Sequence, residues 1–125
     1  MKQARTRGKS SRRKISETFL EFATPLLAPL GNEATLDEME NSLKIAFTVW
    51  NAVVFDAVDR GSRWVDQLRD LSGHDPCIRS LVEHLIARKQ SLFAGDNRLI
   101  GEYRLYRQHG ELRLRAEARQ PKPSR

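Results

Sequence analysis

The sequence predicts an α+β protein: a small helical domain, three to four helices around one long central helix, followed by a C-terminal antiparallel β-hairpin. Three observations predict it. A capped pattern of period 3.6 runs through residues 35–60; the apolar period drops to 2 after Asn97; and charge is sorted along the chain rather than mixed. At 125 residues the chain fits one domain, long enough to bury a core without metal or disulfide support. Its single cysteine, Cys77, excludes an internal disulfide.

Residues 1–14 contain seven Lys/Arg and no acid, a charge of +7. Residues 15–97 contain seven Lys/Arg and thirteen Asp/Glu, a charge of −6, and residues 98–125 contain eight Lys/Arg and three Glu, a charge of +5. The net +6 therefore belongs to the two ends, on an acidic body. Such segregation suits a polyanionic partner, or attraction of the ends to the body itself.

The basic segment 1–14 has no apolar periodicity and is expected to be a disordered tail. A first helix is expected over about 16–30, with Ser16 as N-cap and Glu17 where the helix dipole favours a carboxylate. Phe19, Leu20, Phe22, Ala23, Leu26, Leu27 and Leu30 recur along it at helical spacing. Pro25 removes a helical N–H and predicts a kink or break. The central helix, 35–60, opens on a capping box of Thr35 and Glu38 and stops at Gly61. Its apolar face comprises Leu36, Met39, Leu43, Ala46, Phe47, Trp50, Val53, Val54 and Ala57, with Asn51 on the polar stripe. Phe55 also falls on that stripe. We expect it to pack beneath the hairpin; the alternative is that Asn51 and Phe55 mark a contact with another element or a sister subunit.

A shorter helix is expected over 62–72, with Trp64, Val65, Leu68 and Leu71 inward. Asp75 and Pro76 open a fourth, about 76–94, as acidic N-cap and first-turn proline. Its apolar stripe is Ile78, Leu81, Val82, Leu85, Ile86, Leu92 and Phe93. Leu112, Leu114, Ala116 and Ala118 then alternate with charged residues as one arm of a hairpin over about 99–119. A two-residue turn, His109-Gly110, fits type I′, in which both residues take φ > 0. The resulting register pairs Leu105 with Leu114, Tyr103 with Ala116 and Gly101 with Ala118 on the inner face. Residues 121–125 form a short polar tail.

The other hairpin face is the most suggestive surface. In this register it presents Arg104, Tyr106, Arg113, Arg115 and Arg119, with Ile100, Glu102 and Glu117. Arg104 lies directly opposite Arg115, an unfavourable pair unless diagonal glutamates or an external anion relieve it. Tyr106 among arginines is a stacking platform with phosphate-binding groups around it, as single-stranded nucleic acid requires. In the tail, Arg5, Arg7, Lys9, Arg12, Arg13 and Lys14 are spaced to follow a phosphate backbone. The plainer reading is a solvated strand neutralised by Glu102 and Glu117, with a tail that only solubilises.

Other chemistries fare worse. Cys77 stands near a helix N-terminus with His74 nearby, but Asp75 places negative charge beside the thiol, and a lone helical cysteine is ordinarily a small buried hydrophobe. Cys77 and His84, seven residues apart, lie about 10 Å apart along a helix, too far to share a metal without further ligands. No phosphate-binding loop, dinucleotide fingerprint or hydrolase elbow occurs. No cofactor or metal is therefore expected. No apolar run reaches the ~20 residues that span a bilayer, and the N-terminus has no apolar segment of a signal peptide, so the cytoplasm is the expected compartment. The leading expectation is a non-enzymatic protein that binds nucleic acid, RNA before DNA, through the tail and the arginine face. The alternative is a protein-interaction or scaffold module, homodimeric through its hairpin or helix faces.

Overall fold

The computed structural model describes residues 13–31, 33–59 and 61–120. They form α1 (Ile15–Leu27) with a 3-10 turn at Ala28–Leu30, α2 (Leu36–Val58), α3 (Trp64–Leu71) and α4 (Pro76–Leu92). The strands β1 (Leu99–Gln108) and β2 (Glu111–Arg119) follow. The α+β architecture is thus as expected: four helices, then a two-stranded antiparallel sheet. α2 is the central element and packs against α1, α3, α4 and β1, while β2 lies over α1. No helix among the described residues is long and apolar enough to cross a membrane.

Local chemistry accounts for the helix ends. The Thr35 hydroxyl accepts the Glu38 N–H at 3.1 Å and the Glu38 carboxylate accepts the Thr35 N–H at 2.9 Å, the reciprocal satisfaction of two otherwise orphaned donors. Asp75 accepts from the N–H groups of Cys77 and Ile78, with Pro76 in the first turn. α1 departs from expectation: it begins at Ile15, with Lys14 rather than Ser16 at the cap position and no side-chain cap. α3 begins at Trp64, two residues late, because Asp56 of α2 reaches across. One carboxylate oxygen accepts the Ser62 hydroxyl and the Trp64 N–H, and the other accepts the Val65 N–H. The cap of α3 is therefore supplied from another helix.

Of the kink or break expected at Pro25, the break does not occur; the helix runs through it to Leu27. The missing donor is replaced from outside. Arg88 of α4 donates from Nη2 to the Glu21 carbonyl at 2.8 Å and from Nε to the Phe22 carbonyl at 3.1 Å. Glu21 is exposed, so water can also reach its carbonyl; the guanidinium instead supplies a fixed, charged donor, a bond worth about 1–3 kcal/mol, where the proline removes one.

Phe19, Phe22, Leu43, Val49, Trp50, Val54 and Leu85 are fully buried. Edge-to-face aromatic contacts knit α1, α2 and the segment after α4: Phe22 lies 5.2 Å from Trp50 and 5.7 Å from Phe93 between ring centroids. Two apolar stripes need correction. In α3, Val65 is buried, but Trp64 is half exposed and Leu71 is 83% exposed, because eight residues give only two turns to lie on α2. In α4, Ile78 and Leu92 are exposed, and the buried stripe is Val82, Leu85, Ile86 and Lys89. Phe55 packs not beneath the hairpin but on Trp64, with centroids 5.9 Å apart.

Candidate nucleic-acid interface

The hairpin turn has the left-handed backbone that two residues require: His109 at φ 54° and Gly110 at φ 80°. The pairs Leu105–Leu114, Tyr103–Ala116 and Arg104–Arg115 form as the alternation predicts. Below Glu102 the register slips. Ile100, not Gly101, pairs with Ala118, and Gly101 is the extra residue of a bulge. Ile100 accordingly turns to the inner face and is buried, correcting its expected place on the outer one. A side chain at Gly101 would collide with Arg119, whose Nε and Cγ lie 2.6 and 2.9 Å from the position of an added Cβ. The bare glycine lets the Arg119 stem lie across β1.

Three contacts fix the hairpin to the body. Tyr103 packs against Phe19 at 5.4 Å and Phe47 at 5.2 Å. The Asn51 amide donates to the Ile100 carbonyl at 2.9 Å and accepts the Ile100 N–H at 2.8 Å. At the tip, Arg107 Nη2 reaches the Ala34 carbonyl at 3.4 Å. Asn51 thus contacts the hairpin, while Phe55, one turn on, contacts another helix through Trp64.

The approach to β1 is held by a polar cluster that the sequence reading missed. Lys89 is 2% exposed; its Nζ donates to the carbonyls of Phe93 and Asp96 at 2.7 and 2.8 Å and lies 4.4 Å from the centre of the Trp50 ring. Burial pushes this ammonium down to about 8, against the opposing pull of Asp96. Trp50 Nε1 donates to the Arg98 carbonyl at 2.7 Å. Arg98 grips the Asp96 carboxylate through Nε and Nη2 at 2.9 and 2.6 Å. Burial alone would raise the Asp96 carboxyl; the hydrogen bonds and charge of Arg98, with Lys89 beyond, outweigh it and hold it below the ordinary value. The available signal was periodicity: residue 89 falls on the stripe of 82, 85 and 86, and only its charge argued otherwise.

With its frame rigid, the outer face presents ordered charges. Arg104 stands opposite Arg115, Tyr106 opposite Arg113 and Glu102 opposite Glu117. Arg104 and Arg115 are exposed and, with Glu102 and Glu117, line a shallow depression of about 260 Å³. Arg113 bonds Glu111 at 3.1 Å. Among the described residues, Arg104, Arg115 and Arg119 have no carboxylate within ion-pair reach. Tyr106 is half-buried at the same face.

The basic N-terminal candidates divide. Arg5, Arg7, Lys9 and Arg12 lie outside the described residues. Arg13 is drawn onto α1 by Glu17 and Glu21, which raise its pKa, the Glu21 hydrogen bond most. Its carbonyl also accepts Arg98 Nη1 at 2.8 Å. Lys14 is exposed at the cap of α1. Neither stands near the hairpin arginines by any hydrogen bond or ion pair among the described residues.

Elsewhere, Cys77 is exposed rather than buried as expected, because it lies in the first turn of α4 off the stripe of Val82, Leu85 and Ile86, and it shares an open depression with Ser80 and His84. No group of three His, Cys, Asp or Glu side chains converges to hold a metal among the described residues. A cleft of about 440 Å³ between α2, α3 and α4 contains Asp56, Arg69 and Lys89, but each already has partners: Asp56 caps α3, and Arg69 pairs with Glu83 at 2.7 Å. Comparison with protein-family models, curated proteins and solved structures yields no match for this chain.

Proposed function

We propose that the chain is a non-enzymatic binding protein that contacts single-stranded nucleic acid, RNA before DNA, through the outer face of its hairpin and its basic N-terminal segment. The observation that carries this reading is the Arg104–Arg115 pair: two exposed guanidiniums opposite each other with, among the described residues, no carboxylate in ion-pair range. Like charges directly across a sheet are unfavourable, and a phosphate between them relieves the repulsion while accepting from both forks. Tyr106 supplies the adjoining ring for an unstacked base, and Arg119, laid over Gly101, extends the cationic row along the strand. RNA is favoured because its recognition centres on splayed, stacked single strands.

The test is fluorescence anisotropy with labelled oligouridylate, the matching deoxyoligonucleotide and a duplex, across a salt series. Binding to the single strand is expected to weaken with a log–log slope of about −0.7 per phosphate neutralised. The double variant Arg104→Ser/Arg115→Ser should flatten that slope, and Tyr106→Ala should remove about 1–3 kcal/mol of stacking. Salt-independent binding, or unchanged affinity in the triple variant with its circular dichroism intact, would sink the proposal.

A further inference from the structure

A two-stranded sheet has two edges, and here they differ. The edge of β1 faces the helical body: Asn51 takes both the N–H and the C=O of Ile100 near one end, and Arg107 is tied to Ala34 near the other. On β2, no hydrogen bond from outside the hairpin reaches a backbone group among the described residues. With a two-residue turn, Gln108 and Glu111 exchange both of their backbone bonds, and so does every second pair below them. The N–H and C=O groups of Leu112, Leu114, Ala116 and Ala118 therefore point away from β1, along an open edge.

We propose that this edge pairs antiparallel with β2 of a second copy of the chain, about a two-fold axis at Arg115, so that two hairpins become one four-stranded sheet. The inference goes beyond the nucleic-acid reading and does not depend on it.

The charges of β2 select the register. Along its outer face run Glu111, Arg113, Arg115, Glu117 and Arg119. A two-fold at Arg115 sets Arg113 opposite Glu117 of the second copy and Glu111 opposite Arg119, each twice by symmetry. Only Arg115 meets its own kind, with Glu117 of the second copy on the diagonal. A two-fold at Leu114 would oppose Glu111 to Glu117 and Arg113 to Arg115; one at Ala116 would pair Arg115 with Glu117 but oppose Arg113 to Arg119, so its like and unlike pairs cancel. Shifting to Arg113 runs Glu117 past the turn and shortens the ladder. In the Arg115 register the edge groups of Leu114 and Ala116 bond each other, as do those of Leu112 and Ala118. The outer-face pairs then occupy the closely spaced, non-hydrogen-bonded positions where side chains interact most. Beneath, the half-buried Leu114 meets Ala116 and the half-buried Leu112 meets the exposed Ala118, extending the apolar face. An unprotected edge is a template for pairing, and this one is complementary to itself.

Sedimentation equilibrium on the nuclease-treated full chain tests the proposal. The mass should rise with concentration from 14.4 kDa toward twice that value, less readily in high salt. Arg113→Glu and Glu117→Arg should each abolish dimerisation, since each sets like charges opposite twice. Mixed in equal amounts, the two variants should form a heterodimer, because every altered pair becomes opposite in sign; the double variant should dimerise alone. A single-chain mass for the unaltered protein at every concentration overturns the proposal. So does unchanged dimerisation of the single variants, or a mixture of folded single variants that stays monomeric.

Discussion

Arg88 donates to the backbone carbonyl of Glu21, the group that Pro25 leaves without its helical donor. A residue 67 positions away thereby decides whether a proline in α1 is a break or a continuous turn. The guanidinium also lies 5.6 Å from the centre of the Phe93 ring, so the same side chain links α1, α4 and the segment leading to β1.

Replacing Arg88 by Met keeps much of the apolar stem and removes the donors. It is expected to lower stability by about 1–3 kcal/mol, the worth of hydrogen bonds from a charged donor. Pro25→Ala restores an N–H at position 25, so the same Arg88→Met change should cost less in that background. Urea denaturation of the four proteins measures the coupling, expected at about 0.5 kcal/mol or more. Strictly additive effects would show that Arg88 does not serve Pro25.

Lys89 predicts a stability that depends on alkaline pH. Its folded pKa, lowered by burial to about 8, lies below the 10.5 of an exposed lysine. Between these values the unfolded chain binds more protons than the folded one, so stability rises with pH through this window. Tyr103 sets the upper bound. Burial, with Glu40 nearby, raises its phenol above 10.0, so the folded chain holds the extra proton there and stability falls as pH increases past that point. Asp96 acts at the acid end: its lowered carboxyl contributes stability above about pH 4 that is lost as pH falls. Thermal melts should therefore improve from about pH 8 toward 10, and Lys89→Met should remove that rise. A rise of equal size in the variant would assign it to another group.

Much of this architecture is legible in the chain because it follows from short-range rules. The Thr35–Glu38 box, the Asp75–Pro76 start and the His109–Gly110 turn each need only a few neighbouring residues. What was not legible depends on distant partners. Lys89 is buried because the carbonyls of Phe93 and Asp96 and the Trp50 ring surround it, while Leu92, the more apolar residue, lies at the end of α4 and is 66% exposed. Phe55 has Trp64 as partner because Asp56 places the start of α3 beside it. On the outer hairpin face, alternation set the Arg104–Arg115 pair correctly but moved Ile100 to the wrong side, since counting by twos has no place for a bulge. Gly101, a glycine inside a strand, was the visible warning.

Asn51 anchors the bulged end of β1, and Asn51→Leu should loosen that end first. Both polar groups of Ile100 would lose their partners, a loss of about 2–4 kcal/mol for two bonds whose groups stay half-buried or buried. Amide exchange should accelerate at Ile100, Gly101 and Glu102 while the Leu105–Leu114 region, held by its own ladder and by the core, changes less. Uniform acceleration across the hairpin would mean that Asn51 secures the whole sheet rather than its entrance.

Gly101 and Arg119 form a separate pair with a distinct signature. Gly101→Ala places a Cβ within 2.6 Å of Arg119 Nε and 2.9 Å of its Cγ. The guanidinium end can swing away at little cost, but the stem must move with it. Stability should fall by about 1–2 kcal/mol, the usual cost of a modest overpacking. Removing the obstacle reverses the sign: in an Arg119→Ala background, Gly101→Ala should be neutral or stabilising, because alanine loses less backbone entropy than glycine and Gly101 has no positive φ to protect. Chemical denaturation of the pair reads the difference directly. If Gly101→Ala costs the same with and without the arginine, the bulge itself, not the stem of Arg119, demands glycine at that position.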